Sequence, residues 1–126
     1  MKVAFSSSTG VDIDLNFRKT KSFTIWDIGP QESFYVNTIS IAQEPETEER
    51  RIAVRADALA HCAIVCSSEI NGPAAAKLVS RNIHPMKTGP ATPVETIIGK
   101  LQRVLSGTPP PWIRKAQQSE GTTAVL

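Results

Sequence analysis

Two cysteines lie four residues apart in the stretch CAIVCS, residues 62–67, and this spacing raises the question of a metal or redox pair. The stretch is a continuous apolar run before a polar loop and Gly72-Pro73, which is typical of a strand covered on both faces. Side chains four apart on a strand share a face but stand about 13 Å apart, at roughly 3.3 Å per residue. Cys62 and Cys66 are therefore predicted neither to chelate one metal together nor to form a disulfide.

The chain's two histidines suggest a different set of metal ligands. His61 precedes the same strand and His84 opens a later one, so adjacent parallel strands would bring both imidazoles near Cys62. Their spacing matches no standard zinc pattern, and a helix-end histidine and a histidine before proline are the structural alternative. Cys66 instead lies near the carboxyl end of its strand, where open α/β sheets collect ligands.

Five strands and three helices are predicted to position these residues. The strands cover residues 2–6, 22–28, 33–41, 62–67 and 83–88, and the helices cover 46–61, 72–82 and 92–107. The second and third strands form a hairpin, and right-handed crossovers make the first, fourth and fifth parallel. The prediction is an α/β fold with a five-stranded mixed sheet flanked by helices, strand order 3-2-1-4-5, in the ribonuclease H-like arrangement.

The third helix is predicted to begin with a capping box at Thr92-Pro93-Val94-Glu95. Residues 108–117 follow as a Pro-rich segment, extended at its prolines, with a short basic extension, and residues 118–126 are a polar tail expected to be disordered. Residues 1–107 are therefore expected to form a single domain.

The carboxyl edge of this sheet would gather three loops, residues 6–21, 67–73 and 87–92. They carry the basic residues Arg18, Lys19, Lys21 and Lys87 and the start of the second helix at Gly72. Basic side chains and a helix start favour an anion, although each helix-end interaction contributes only about 0.3–1 kcal/mol when exposed. The edge is predicted to be a positively polarised anion site that needs several donors acting together.

The bulk composition restricts the protein class. A chain of 126 residues with 40% hydrophobic content fits one compact domain. It contains no apolar run long enough for a membrane span and no apolar leader at its start, and two cysteines are too few for a disulfide scaffold. The net charge of +2 does not indicate a nucleic-acid partner. The composition predicts a cytoplasmic protein.

Four stretches together resemble a known family: KVAFSS, DIDLNFRKTKSFTIWDIGP, CAIVCSSEINGPAAAKLVSRNIHPMKT and PVETIIGKLQRVLSGTPPPWIRKA. In order and spacing they are similar to the NifX-type dinitrogenase iron-molybdenum cofactor-binding family of nitrogenase cofactor biosynthesis, over residues 1–117. The resemblance implies a non-catalytic carrier that binds an iron-sulfur precursor of the nitrogenase cofactor, or the finished iron-molybdenum cofactor, and passes it between assembly proteins. Implied partners are the cluster synthase and scaffold complex or cofactor-free dinitrogenase, with no nucleic acid and no membrane, for a monomer or weak dimer.

The loop after the first strand departs from the family pattern Asp-x-His-Phe-Gly, in which the histidine is a candidate cluster ligand. The matching residues here are Asp14, Leu15, Asn16, Phe17 and Arg18, and an amide is a poor ligand for iron. The predicted cargo-binding residues are Asn16, Phe17, Arg18, Lys19, Ser68, Gly72 and Lys87. The ligand is left open between Cys66 at this edge, Cys62 with His84 at the other, and electrostatic binding alone.

Trp112, with Arg114 and Lys115, is either a docking patch for a partner or a clasp over the core. A chaperone of a cofactor-free enzyme or scaffold protein, which would not bind the cluster, is the alternative function and accommodates Asn16. A ribonuclease H-like nuclease is a remote alternative, since such sites need an acid on the first strand and residues 2–6 contain none.

Overall fold

A computed structural model describes residues 1–115 of the chain and places helices on both faces of one five-stranded sheet. The strands are β1 (Lys2–Ser6), β2 (Asp12–Ile13), β3 (Ser22–Ile28), β4 (Ser33–Ser40), β5 (Ile64–Ser67), β6 (His84–Lys87) and β7 (Thr92–Pro93). The helices are α1 (Glu48–Ala58), α2 (Gly72–Ser80) and α3 (Val94–Ser106). No helix within residues 1–115 is long and apolar enough to cross a membrane.

The sheet has the predicted architecture. Its order is β4-β3-β1-β5-β6, which is the predicted order once the short β2 is counted. β1 pairs with β5 and β5 with β6 in parallel, whereas β3 is antiparallel to both β1 and β4. This confirms the mixed, ribonuclease H-like α/β class.

The two faces of the sheet bury separate apolar clusters. On one face α3 packs over a cluster that includes Val3, Phe5 and Ile64. On the other, α1 and α2 cover a cluster that includes Ala4 and Val65. The alternation of β1 and β5 side chains between the two clusters follows from the two-residue repeat of a strand.

The predicted placement of Cys62 is wrong in one respect. β5 begins only at Ile64, and Cys62 lies in the turn after α1, where its backbone N–H donates to the carbonyl of Leu59 at 2.9 Å. Its side chain therefore packs under α1 and α2, whereas Cys66 packs on the α3 face. The two cysteines do not share a face, and no disulfide joins them.

A second, two-stranded sheet was not predicted and replaces the predicted capping box. Ile13 pairs with Thr92, and the Thr92 hydroxyl donates to the carbonyl of Thr88 at 2.9 Å. α3 consequently begins after Pro93, which forms no side-chain cap bond. The other two helices are shorter than predicted and are capped by Thr47 and Asn71, whose side chains accept backbone N–H groups of the first turn.

The Pro-rich segment contributes to the core. Residues 111–115 are helical, so the last proline begins a short helical stretch instead of continuing an extended chain. Ile113 is buried in the α3-side cluster and its N–H donates to the carbonyl of Pro110 at 3.0 Å. The predicted disordered tail at residues 118–126 lies outside the described residues.

Candidate functional site

The loops at the carboxyl ends of β1, β5 and β6 converge, as predicted, into a single surface. We call it the loop rim and define it as residues 6–21, 67–73 and 87–92. The first two loops are joined by backbone hydrogen bonds from Ser68 N to Leu15 O and from Phe17 N to Glu69 O, each 3.0 Å long. Asn16 and Glu69 also form a parallel bridge. Asn16 and Phe17 of the predicted cargo site are thereby joined to the loop that leads into α2.

The third loop is held to the other two in the same manner. Thr88 N donates to Ser67 O at 2.9 Å, and the pairing of β2 with β7 fastens the loop after β1 to the start of α3. Beneath them, the hydroxyls of Ser6 and Ser67 form a buried hydrogen bond of 2.5 Å across β1 and β5. Backbone hydrogen bonds and strand pairing therefore join all three loops of the rim.

The basic side chains of the rim have acidic neighbours. Arg18 Nη1 donates to Glu48 Oε1 at 2.9 Å, and Lys87 Nζ lies 3.0 Å from Glu69 Oε2. Two of the predicted cations are therefore paired with carboxylates, so the rim carries charges of both signs, and its binding of an anion stays a prediction. Lys19 and Lys21 are exposed, and no salt bridge within residues 1–115 involves either.

Glu48 joins three elements at one end of the rim. Its Oε1 also accepts a hydrogen bond of 3.0 Å from Asn71 Nδ2, at the N-terminus of α2. The hydrogen bond from Arg18, followed by that from Asn71, lowers the pKa of the Glu48 carboxyl. The carboxylate is thus kept ionised and holds Arg18 against the helix ends.

Asn16 and Phe17 have structural roles in the loop. The Asn16 Oδ1 accepts the backbone N–H of Arg18 at 3.1 Å, which stabilises the turn. Phe17 is fully buried and its ring contacts that of Phe23, with centroids 5.8 Å apart. Phe17 therefore anchors the loop from below and presents no side chain to the surface.

Ser68 and Gly72 lie where the second loop enters α2. Ser68 is buried and its N–H is used in the bond to Leu15. Gly72 is exposed, and a Cβ added there would meet no atom within 4 Å. The glycine is therefore not required by local packing, and the surface above it is open.

Cys66 and His84, two of the predicted metal ligands, are each packed against other side chains. Cys66 is fully buried, its Sγ lies 3.8 Å from Met86 Sδ, and burial raises the pKa of its thiol. His84 stacks on Trp112 with ring centroids 3.8 Å apart, and burial lowers the pKa of its imidazole. In the part of the chain that the structure describes, no group of three or more His, Cys, Asp or Glu side chains could hold a metal ion.

Three residues in or beside the rim were missed by the sequence reasoning: Glu48 of α1, and Glu69 and Asn71 of the second loop. Asn71 carries a detectable signal, because an Asn directly before Gly-Pro and an apolar run is typical of a helix N-cap. The two glutamates carry none, since each meets its basic partner only through the folded arrangement of separate loops.

The fold of this chain is similar to that of a solved protein structure. The solved crystal structure of PH0822 superposes with a TM-score of 0.66, covering 89% of this chain and 97% of that one, at 17% sequence identity. At that identity the likeness defines the fold alone.

The sequence itself identifies the family. The sequence model of the family described as "Dinitrogenase iron-molybdenum cofactor" matches residues 1–104, and the chain belongs to that family. Protein NifX of Herbaspirillum seropedicae is 36% identical over 94% of this chain and 82% of its own length. Protein NifY of Azotobacter vinelandii is 38% identical over 95% of this chain, which spans 49% of that relative's length.

Proposed function

We propose that the protein is a non-catalytic carrier in nitrogenase cofactor biosynthesis, which binds an iron-sulfur precursor of the iron-molybdenum cofactor, or the finished cofactor, and passes it on. The family match over residues 1–104 carries this proposal, since those residues include all three loops of the loop rim. The proposal is also supported by the similarity of the chain to proteins named NifX and NifY, at 36% and 38% identity.

The exposed cations of the rim define where the cargo binds in this proposal. Lys19 is exposed and forms no salt bridge within residues 1–115, so its charge is available to an anionic cargo. Lys21 is also exposed but lies near Glu44, whose pKa it helps to lower. Arg18 and Lys87 add positive charge when the cargo competes for them with Glu48 and Glu69. A cluster with net negative charge would be attracted to the side of the rim that carries Lys19 more strongly than to the remainder of it.

The residues of the chain fit an electrostatic hold better than a ligand cage. The buried Cys66 thiol stays protonated because burial raises its pKa, and a protonated thiol is a poor ligand. An iron-sulfur cargo brings its own sulfides, so few protein ligands are needed. Electrostatic binding by exposed side chains also allows the cargo to dissociate readily when a partner docks.

A second candidate is a chaperone of cofactor-free dinitrogenase or of a scaffold protein that binds no cluster. It is favoured by one observation: Asn16, at the position of the family's histidine, uses its side-chain oxygen inside the loop. As a chaperone, the protein would contact its partner through the loop rim, and the Arg18–Glu48 and Lys87–Glu69 pairs would be part of a polar docking surface.

Partners of the carrier would be the cluster synthase and scaffold complex. The proposed contact is Arg114 and Lys115, which are exposed on the short helix of residues 111–115. Trp112 is stacked on His84 and partly buried, which favours the clasp role for this side chain. The basic pair would then meet an acidic surface of the partner.

Anaerobic loading separates the two candidates. The protein is purified without oxygen, mixed with isolated cluster precursor, and passed through a sizing column while iron-sulfur absorbance is followed. Absorbance that co-elutes with the protein, and moves to a scaffold protein added later, supports the carrier. Colourless protein that still captures an assembly protein supports the chaperone and contradicts the carrier.

A further inference from the structure

The edge strand β4 presents an exposed apolar surface that the proposed function does not use. Phe34, Tyr35 and Val36 are consecutive and expose 60%, 55% and 42% of their surface. β4 bonds to β3 on one side and to no further strand within residues 1–115 on the other. A long exposed edge strand with apolar side chains is a template for pairing with another chain.

The opposite edge of the sheet is protected. β6 contains Pro85, which lacks a backbone N–H, and Lys87, which is charged and exposed. The indole of Trp112 covers His84 at the start of the same strand. Proline, lysine and a covering segment are features by which proteins block edge pairing, and β6 has all three. β4 has none of these three, although a register shift interrupts its pairing with β3 at Ile25/Trp26.

The composition of β4 suits pairing with itself. Residues 33–40 include no Asp, Glu, Lys or Arg, so two copies related by a two-fold axis oppose no like charges along the strand. Charges of opposite sign lie at its two ends. Glu32 precedes the strand, and Lys21 lies beside its other end, where the N–H of Ile41 donates to the Lys21 carbonyl at 2.8 Å. Antiparallel pairing brings Glu32 of each copy to the end at which Lys21 of the other lies.

We propose that β4 is the interface of a homodimer, in which it pairs antiparallel with β4 of a second copy and the two sheets join into one of ten strands. A register shift at Ile25/Trp26 leaves Val36 without an opposing residue on β3, which divides the strand into segments 33–35 and 37–40. With the two-fold axis at Val36, each segment pairs with the other segment of the second copy. One strand on each side buries less than a standard interface, so the dimer forms reversibly with concentration.

Sedimentation of the full chain tests this interface directly. The wild type is measured from about 1 μM to about 1 mM, the range that covers reversible dimers of modest affinity. Val36→Lys places two like charges at the axis and is expected to leave the protein monomeric. Val79→Lys makes the same change at a residue of α2 that is 60% exposed, and is expected to leave the dimer unchanged. Far-ultraviolet circular dichroism checks that both variants fold.

Hydrogen exchange of the wild type gives a second measurement that needs no variant. The proposal predicts that β4 amides become protected as concentration rises, whereas amides of β6 do not change. A wild type that is monomeric throughout the range overturns the proposal. So does a dimer that persists in Val36→Lys, one that Val79→Lys disrupts equally, or β4 protection that is independent of concentration.

Discussion

The imidazole of His84 lies flat on the indole of Trp112, with ring centroids 3.8 Å apart and ring planes inclined by 14°. The contact joins the start of β6 to residues 111–115, which also place Ile113 in the α3-side core. A segment read from its composition as a Pro-rich extension is therefore part of the packed structure up to Ile113. The stacking covers part of the His84 ring, and the effect of this burial on its pKa can be measured.

The pKa of His84 should lie below its ordinary value of 6.5, because burial disfavours the charged imidazole. The folded state then binds fewer protons than the unfolded state, so this group's contribution to stability is present above about pH 6.5 and is lost as the pH falls through the lowered value. Trp112→Ala should move the pKa back toward 6.5 in an NMR titration. Trp26→Phe, at a tryptophan on β3, should leave it unchanged; a fall of the pKa in Trp112→Ala would contradict burial as the cause.

The Cys66 thiol should be unreactive in the folded protein. It is fully buried against Met86, and burial raises its pKa, so the thiolate that reacts is absent. In a Cys62→Ala variant Cys66 is the chain's remaining thiol, and a thiol reagent should label it slowly in buffer and at once in concentrated urea. Rapid labelling of the folded variant would instead show an accessible thiolate, and would restore Cys66 as a cluster ligand.

Arg55 should be a major contributor to stability, although it is charged. It is fully buried, donates to the carbonyl of Thr20 at 2.9 Å, and forms a two-pronged ion pair with Glu44 whose shorter contact is 2.8 Å. Arg55→Ala should lower the free energy of unfolding in urea by about 2–3 kcal/mol, the scale for losing a buried side chain and leaving the carbonyl of Thr20 without its hydrogen bond. Arg50→Ala, the same change at an exposed position of α1, should cost far less, and equal losses would refute the assignment.

The same pair predicts part of the acid dependence of stability. The hydrogen bond from Arg55, which outweighs the effect of burial, lowers the pKa of Glu44 from its ordinary value of 4.5. The stabilisation is thus complete above about pH 4.5 and is lost as the pH falls through the lowered value. The free energy of unfolding, measured in urea at a series of acidic pH values, should fall less steeply with decreasing pH in Glu44→Gln than in the wild type. Identical slopes would mean that the pair does not titrate as described.

Glu48 should limit the affinity of the loop rim for an anion, because its carboxylate holds Arg18. Glu48→Gln keeps the size of the side chain and removes the charge, so binding of the anionic cluster precursor should rise by about threefold, and less at high salt. Glu49→Gln, one residue further along α1, is the matched control. An equal rise in both variants would indicate a general charge effect instead of release of Arg18.

The strands and the sheet order could be predicted because their signals are local. β1, β3 and β4 are short runs of apolar or β-branched residues. Four residues separate β3 from β4, so the two strands can pair only as an antiparallel hairpin. β2 and β7 could not be predicted, since each has two residues and exists only because the folded loops meet. The contact between these loops also explains why the predicted capping box is absent. Thr92 donates to the carbonyl of Thr88 and pairs with Ile13 instead of capping α3.

The convergence of the three loops was predictable, but the ion pairs beside them were not. The rule that loops gather at the carboxyl ends of parallel strands located the rim. The Arg18–Glu48 pair joins residues 30 positions apart, and the Lys87–Glu69 pair joins two different loops. Such pairs depend on side-chain placement that no spacing in the sequence encodes, so the acidic partners of these basic residues could not be predicted.

The most direct test of the carrier proposal compares two charge reversals under anaerobic loading. Lys19→Glu changes an exposed lysine of the rim, and Lys100→Glu makes the same change on the exposed side of α3. The account predicts that Lys19→Glu weakens binding of the cluster precursor by about tenfold or more, equivalent to about 1.4 kcal/mol, while Lys100→Glu binds as the wild type does. Equal binding by both variants, or loss of loading in Cys66→Ala with every rim charge intact, would contradict an electrostatic hold at the loop rim.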